Sequence, residues 1–257
     1  MSGHSKWAQI KRKKGVADVR RGQLFTKLGR EIMVAVREGG PDPEGNFRLR
    51  LAIERARREN MPMENIQRAI DRALGRTGES AVEEVLYEGY APHGVALLVD
   101  VATDNRNRAV AEVRNILTRG GGSLGETGCV SWLFDARGYI AVDVPGEDPE
   151  ERQARGEEIA LQVMDVDGVQ DVRVSDDIVE VYTEVADLGR VRDRLTEMGL
   201  ALSTVEKTFL PKSTISLPPK DAAQVMRLIE RLEELDDVQK TFSNLEITDE
   251  ALAAYEG

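Results

Sequence analysis

One block of this chain fixes the order of its elements more tightly than any other. From about residue 137 to 210 the hydrophobic pattern marks out six successive elements. GYIAVDV alternates as a strand, PEERQARGEEIALQVMD has helical spacing, and VQDVRVS and DIVEVYTE are two further strands. ADLGRVRDRLTEMG is helical again, and LSTVEKTFL closes the block as a strand. Strand-helix-strand-strand-helix-strand is the split β-α-β order of ferredoxin-like domains. The flanking segments each hold half of such a pattern. Before the block stand VLYEGYAP, the continuously apolar GVALLVDVAT, the helix NRNRAVAEVRNILTRGGG and the strand CVSWLFD. GVALLVDVAT is expected to be covered on both faces. After the block come TISLP as a strand, PKDAAQVMRLIERLEEL as a helix and VQKTFSNLEI as a strand. Joining the two halves makes a second sandwich with the first inserted in it.

The first 80 residues read differently. GQLFTKLGREIMVAVREGG sets Leu24, Leu28, Ile32 and Val36 on one stripe beside Phe25 and stops at Gly39-Gly40. NFRLRLAIERARREN turns Phe47, Leu49, Ile53 and Ala56 inward and leaves Arg48, Arg55 and Arg58 outside. Pro62 opens a third helix with Ile66, Ala69, Ile70 and Ala73 on its stripe. The expected fold is α+β: a three-helix domain over 1–80, an α/β domain over 81–136 plus 211–250, and an acidic ferredoxin-like domain over 137–210.

Charge separates the ends. The net charge is −11. Residues 1–80 hold 18 basic and 10 acidic residues, a net of +8; the rest hold 17 and 36, a net of −19. Residues 1–30 alone carry 9 basic residues against Asp18. Such polarity suits a partner that is polyanionic at one end. In GHSKWAQIKRKKGVADVRRGQ, the cations Lys6, Lys11, Arg12, Lys13, Lys14, Arg20 and Arg21 can neutralise phosphates and release counterions. Trp7 is placed to stack on a base, and His4 to stack or touch phosphate. An ordinary solvated basic terminus is the alternative. Lys27 and Arg30 extend the basic series one helix further. Residues 1–20 lack apolar periodicity and are expected to form an arm ahead of the helices.

A second candidate is TDNRNRAVAEVRNIL. Asp104, or Thr103, is the expected N-cap, which puts Arg106 and Arg108 in the first turn, where the helix dipole disfavours cations. Two guanidiniums beside free amides would form an anion site; pairing with Asp104, Glu112 or an acid on another strand is the equal alternative. The glycine-rich GGGSLGETGCVSWLFD follows a helix and lacks a Lys-Ser/Thr ending, so it is read as a tight connection, not a phosphate loop, with Glu126 and Thr127 able to orient a ligand and Cys129 in the core.

Other function classes find little support. One cysteine excludes an intrachain disulfide and points to a reducing, cytoplasmic setting. Cys129, His4 and His93 lie too far apart in sequence to suggest a zinc site, and no catalytic constellation stands out, so neither enzyme activity nor a cofactor is expected. No apolar run reaches the roughly 20 residues of a membrane span, and no apolar stretch follows the basic start as in a secretory signal. The 18 acidic and 7 basic residues of 138–208 alternate with apolar positions as solvated faces do. A metabolite-regulated switch would rest on fold analogy alone. A monomer or weak dimer is expected.

The chain closely resembles the YebC/PmpR family, which includes a mitochondrial translational activator of cytochrome oxidase. The resemblance is carried by GHSKWAQIK, RGQLFTKLGREI, NMPMENIQRAI, LYEGYAPHGVALLVDVATDNRNRAVAEVR and GGSLGETGCVSWLF. Gln9 stands where Asn is common, Arg12 where His is common, and Ala91 and His93 where glycines are common. The resemblance implies a three-domain fold and work on nucleic acid. The family is described as DNA-binding transcriptional regulators, and members have been linked to the ribosome, where they help translation through proline-rich stretches. It implies that the residues around Gly3–Lys14 contact the polymer, whether DNA or the rRNA and tRNA of the ribosome. Basic ribosomal proteins are a second class of partner for the acidic faces.

Overall fold

A computed structural model describes residues 18–78, 80–175 and 177–256, without the side chains of 18–20. Among the described residues three helices come first: α1 (Asp18–Gly39), α2 (Phe47–Arg58) and α3 (Met63–Ala73). Leu28, Ile32 and Val36 are buried as their spacing predicts, together with Leu49, Ile53, Ala56, Ile66 and Ala69. The α1–α2 turn is held by one side chain. Asn46 donates to the carbonyls of Ala35 and Gly40 at 2.7 and 2.8 Å, and its Oδ1 caps α2 by accepting from the Leu49 amide at 3.0 Å. A Cβ at position 39 would lie 2.6 Å from Asn46 Cγ, which is why glycine ends α1. The helical core runs on into Val82 and Ala102, so the bundle is continuous with the next layer.

That layer is a four-stranded sheet in the order β3-β1-β2-β8. Its strands are β1 (Glu83–Tyr90), β2 (Ala96–Thr103), β3 (Ser123–Leu124) and β8 (Val238–Ser243). In β2 only Asp100 is not buried. Leu97, Val99 and Val101 face a core shared with α4 (Arg106–Arg119) and α7 (Pro219–Glu233). Ala102, of opposite parity, belongs to the bundle's core, so alternate side chains of β2 serve two cores. The tail completes the sheet: Val101 pairs with Val238 and Leu97 with Ser243, both antiparallel. A last helix, α8 (Asp249–Glu256), adds Ala251 and Tyr255 to the same core.

Between the two halves run β4 (Phe134–Asp143), α5 (Pro149–Met164), β5 (Val169–Ser175), β6 (Ile178–Thr183), α6 (Leu188–Glu197) and β7 (Leu202–Pro211). Their sheet order, β5-β6-β4-β7, is that of a ferredoxin-like domain. The described chain divides into two compact units, Asp135–Leu210 and the residues on either side of it. The inserted unit departs from its solvated-face expectation at Glu180, which is fully buried. It lies near the phenols of Tyr139 and Tyr182, at 3.4 and 3.2 Å, and Arg173 stacks 5.0 Å from the Tyr182 ring centre. The phenolic O–H groups supply the hydrogen bonds that a carboxylate out of water requires.

Three expectations are corrected. CVSWLFD is not a separate strand: Ser131–Leu133 is a 3-10 turn, β4 starts at Phe134, and the short edge strand is Ser123–Leu124. Its amides are drawn off the ladder by Glu88, as described below. TISLP contributes only an isolated parallel bridge between Ile215 and Leu245. Cys129 is half-buried in the turn and not in the core. His93 takes a φ of +65°, the left-handed backbone that glycine favours, and its Nε2 lies 3.3 Å from Gln224 Oε1.

Candidate nucleic-acid interface

His4, Lys6, Trp7, Lys11, Arg12, Lys13 and Lys14 lie outside the described residues. Arg20 lies in the first turn of α1. Arg21 is exposed one residue later, its guanidinium 5.6 Å from the ring centre of Phe25. Lys27 and Arg30 continue along α1, and both turn toward the segment that joins α7 to β8. Lys27 Nζ donates to the Glu233 carbonyl, and Arg30 forms an ion pair with Asp237. The helix therefore carries Arg21 into solvent and Lys27 and Arg30 into the body.

Arg106 and Arg108 do open α4, but the N-cap is Asn105, whose Oδ1 accepts the Arg108 amide at 3.1 Å. Asp104 is unavailable for capping because its carboxylate takes Arg72 at 3.2 Å and Arg108 at 2.9 Å. Thr103 Oγ1 accepts the Asn105 amide at 3.0 Å and donates to Asp237 at 2.7 Å. Asp237 also accepts from Arg108 at 2.8 Å. The anions that the helix start attracts thus come from the chain itself, and Arg106 Nε lies 3.4 Å from Glu83.

These contacts form one network. Arg30 of α1, Arg72 of α3 and Arg108 of α4 converge on Asp104 and Asp237, which follow β2 and precede β8. The side chain of Asp237 is 5% exposed and that of Arg30 14%. Burial works to raise the Asp104 carboxyl, but the hydrogen bond from Arg108 and the charges of Arg108, Arg30 and Arg72 outweigh it and hold it below the usual range. Arg108 is pushed further up, first by its hydrogen bond to Asp237 and then by Asp104. The broken dipole rule at TDNRNR therefore marks a joint between the helices and the sheet. Arg48 and Arg55, expected outside, also have partners: Arg48 reaches Glu38 and Glu84, and Arg55 reaches Glu31.

The glycine-rich segment holds a buried carboxylate that sequence reasoning missed. Glu88 of β1 is 5% exposed. Its Oε1 accepts the Gly128 amide at 2.7 Å, and its Oε2 accepts those of Val130 and Ser131, each at 2.8 Å. Desolvation acts to raise its carboxyl, and the three amides more than reverse that. The glycines permit the approach: a Cβ at Gly89 would meet the Ser123 carbonyl at 2.5 Å, and one at Gly122 the Tyr90 carbonyl at 2.3 Å. Glu126 and Thr127 are exposed at the loop tip. Neither Glu88 nor Asp237 carries a sequence signal, because each is one acid among many until the fold supplies its partners. Among the described residues, no group of three His, Cys, Asp or Glu is placed to hold a metal ion, and no helix is long and apolar enough to cross a membrane.

Family comparison agrees with this architecture over most of the chain. Residues 5–76 match the N-terminal domain of the TACO1/YebC protein, and residues 82–245 match the TACO1/YebC second and third domain. The chain belongs to the TACO1/YebC family. A relative from Roseiflexus castenholzii is 56% identical over 255 residues, covering 97% of each chain. One from Herpetosiphon aurantiacus is 54% identical over 256 residues, covering 99% of this chain and 98% of its own. Both are named probable transcriptional regulatory protein. Among solved structures, a conserved hypothetical protein from Aquifex aeolicus is 45% identical with a TM-score of 0.80, covering 90% of this chain and 93% of that one.

Proposed function

We propose that this protein is a nucleic-acid-binding regulator of gene expression that meets its polymer through the basic N-terminal arm, with the acidic domains orienting the approach. The observation that carries the reading is the placement of charge. Lys27, Arg30, Arg106 and Arg108 are engaged with partners in the chain. The dense cluster Lys11–Lys14 and its neighbours are therefore the strongest source of attraction for phosphate. The relatives' name, probable transcriptional regulatory protein, supports a regulator. The protein acts by binding, in the cytoplasm, without cofactor or catalysis, and the three-part division at residues 80, 136 and 210 is a division of labour among head, body and insert.

A second reading, a translation factor that touches rRNA or tRNA on the ribosome, is favoured by one feature. Of the α2 cations facing outward by sequence, Arg48 and Arg55 are paired with glutamates, and Arg58 is exposed. That leaves α2 poorly suited to reading a major groove, whereas a cationic arm suits irregular RNA. Ultraviolet crosslinking in living cells, with RNA and DNA recovered together, separates the two. Discrete promoter DNA without ribosomal RNA supports the transcriptional reading. Ribosomal RNA or tRNA ends, lost when Lys11–Lys14 are neutralised, support the translational one. Recovery of neither polymer refutes the proposal.

A further inference from the structure

Trp132 stands in the 3-10 turn just ahead of β4, with 64% of its surface in water. It is the one aromatic among the large exposed apolar side chains of the described residues. Its indole N–H donates to the Cys129 carbonyl at 3.1 Å, so the polar atom of the ring is already committed and its π face is what remains to offer. The loop beneath is firmly built. Glu88 takes the amides of Val130 and Ser131, and the Tyr90 hydroxyl donates at 3.2 Å to the same Cys129 carbonyl. A cation sits alongside: the ammonium of Lys212, an exposed residue, donates to the Trp132 backbone carbonyl at 2.9 Å, and the Lys212 amide donates to Leu133.

A preset aromatic face next to a lysine is the arrangement by which proteins hold unpaired bases, the ring taking the base and the cation the adjoining phosphate. We propose that Trp132 is a stacking platform for one unpaired base of a nucleic acid, with Lys212 at its phosphate. This rests on the nucleic-acid reading above and adds a second contact, on the body of the protein. A paired duplex has its bases already stacked and gives Trp132 nothing to hold, so the platform selects single strands or splayed loops.

The test uses the full chain with Trp7→Phe, which leaves Trp132 as the sole indole. A short single-stranded oligoribonucleotide of mixed sequence is titrated in, and the same sequence as a duplex serves as control. Quenching of the indole emission by the single strand and not by the duplex is expected. Trp132→Ala is expected to weaken single-strand binding about tenfold, within the range of one stacked base, with the salt dependence unchanged and Trp132→Phe retaining most of the affinity. Circular dichroism checks that the variants fold. If Trp132→Ala binds like the parent while neutralising Lys11–Lys14 abolishes binding, the inference falls and the proposed function stands. Emission unmoved by RNA, as for a tryptophan that instead meets a protein, also overturns it. If the parent binds neither polymer, the functional reading itself fails and takes this one with it.

Discussion

Asp237→Asn is the sharpest test of how the helices are joined to the sheet. The substitution keeps the shape of the side chain and its contact with Thr103, but removes the charge shared by Arg30 and Arg108. Removing one partner of a buried ion pair costs about 3–5 kcal/mol, because the other charge is left uncompensated. The Arg30 side of the network is buried and bears the full penalty, whereas Arg108 is 42% exposed and regains water. The expected loss is therefore near the lower end, about 3 kcal/mol. At about 2–4 °C per kcal/mol for a unit of this size, the melting temperature falls by about 6–12 °C. Urea unfolding followed by calorimetry gives the number, with the midpoint moving and the slope unchanged. Arg30→Met alone is also destabilising, and the double variant loses less than the sum of the singles by about 0.5–3 kcal/mol. A loss from Asp237→Asn below about 1 kcal/mol, or strict additivity, refutes the network as a joint.

Three further outcomes are expected. Neutralising Lys11, Arg12, Lys13 and Lys14 together lowers the slope of log K against log salt by about 3, at roughly 0.7–0.9 per phosphate contact; a slope that stays the same removes the arm from the interface. Glu88→Gln sets an amide nitrogen against a backbone N–H and costs about 2–3 kcal/mol. The folded carboxyls of Glu88 and Asp104 are both depressed, so their stabilisation is full above the ordinary carboxylate value near 4 and fades as pH falls through the lower folded values. Acid unfolding of Glu88→Gln should accordingly be shallower than that of the parent. Asn46→Ala loses the α2 cap and two bonds to the end of α1, about 2 kcal/mol in all. A change under about 0.5 kcal/mol in urea denaturation would show that water replaces it.

Sequence made the elements legible wherever periodicity is strong. The β2 strand announced double burial by its unbroken apolar run, and the inserted domain announced itself by a complete order of six elements. The host sheet was readable only as two orphan halves, because pairing between Val101 and Val238 leaves no local trace. CVSWLFD misled because apolar alternation cannot show that Glu88, 42 residues before Val130, has claimed its amides. At TDNRNR the pattern announced a conflict without its resolution: the deciding acid, Asp237, comes from the far side of the insertion. Trp132 passed for a strand residue, since nothing in SWLF distinguishes an outward ring from an inward one.

The late arrival of β8 shapes how the chain can be made. During synthesis the insert leaves the ribosome whole, while β2 still lacks the strand that will lie along its edge. An apolar strand with an unpaired edge is a template for association with other chains. A polypeptide halted before Val238 would expose that edge and would lack the core side chains of Val238, Leu245, Ala251 and Tyr255. Truncation near the C-terminus should therefore be far more harmful than its length suggests, yielding aggregates built around residues 96–103 and not a shortened soluble protein.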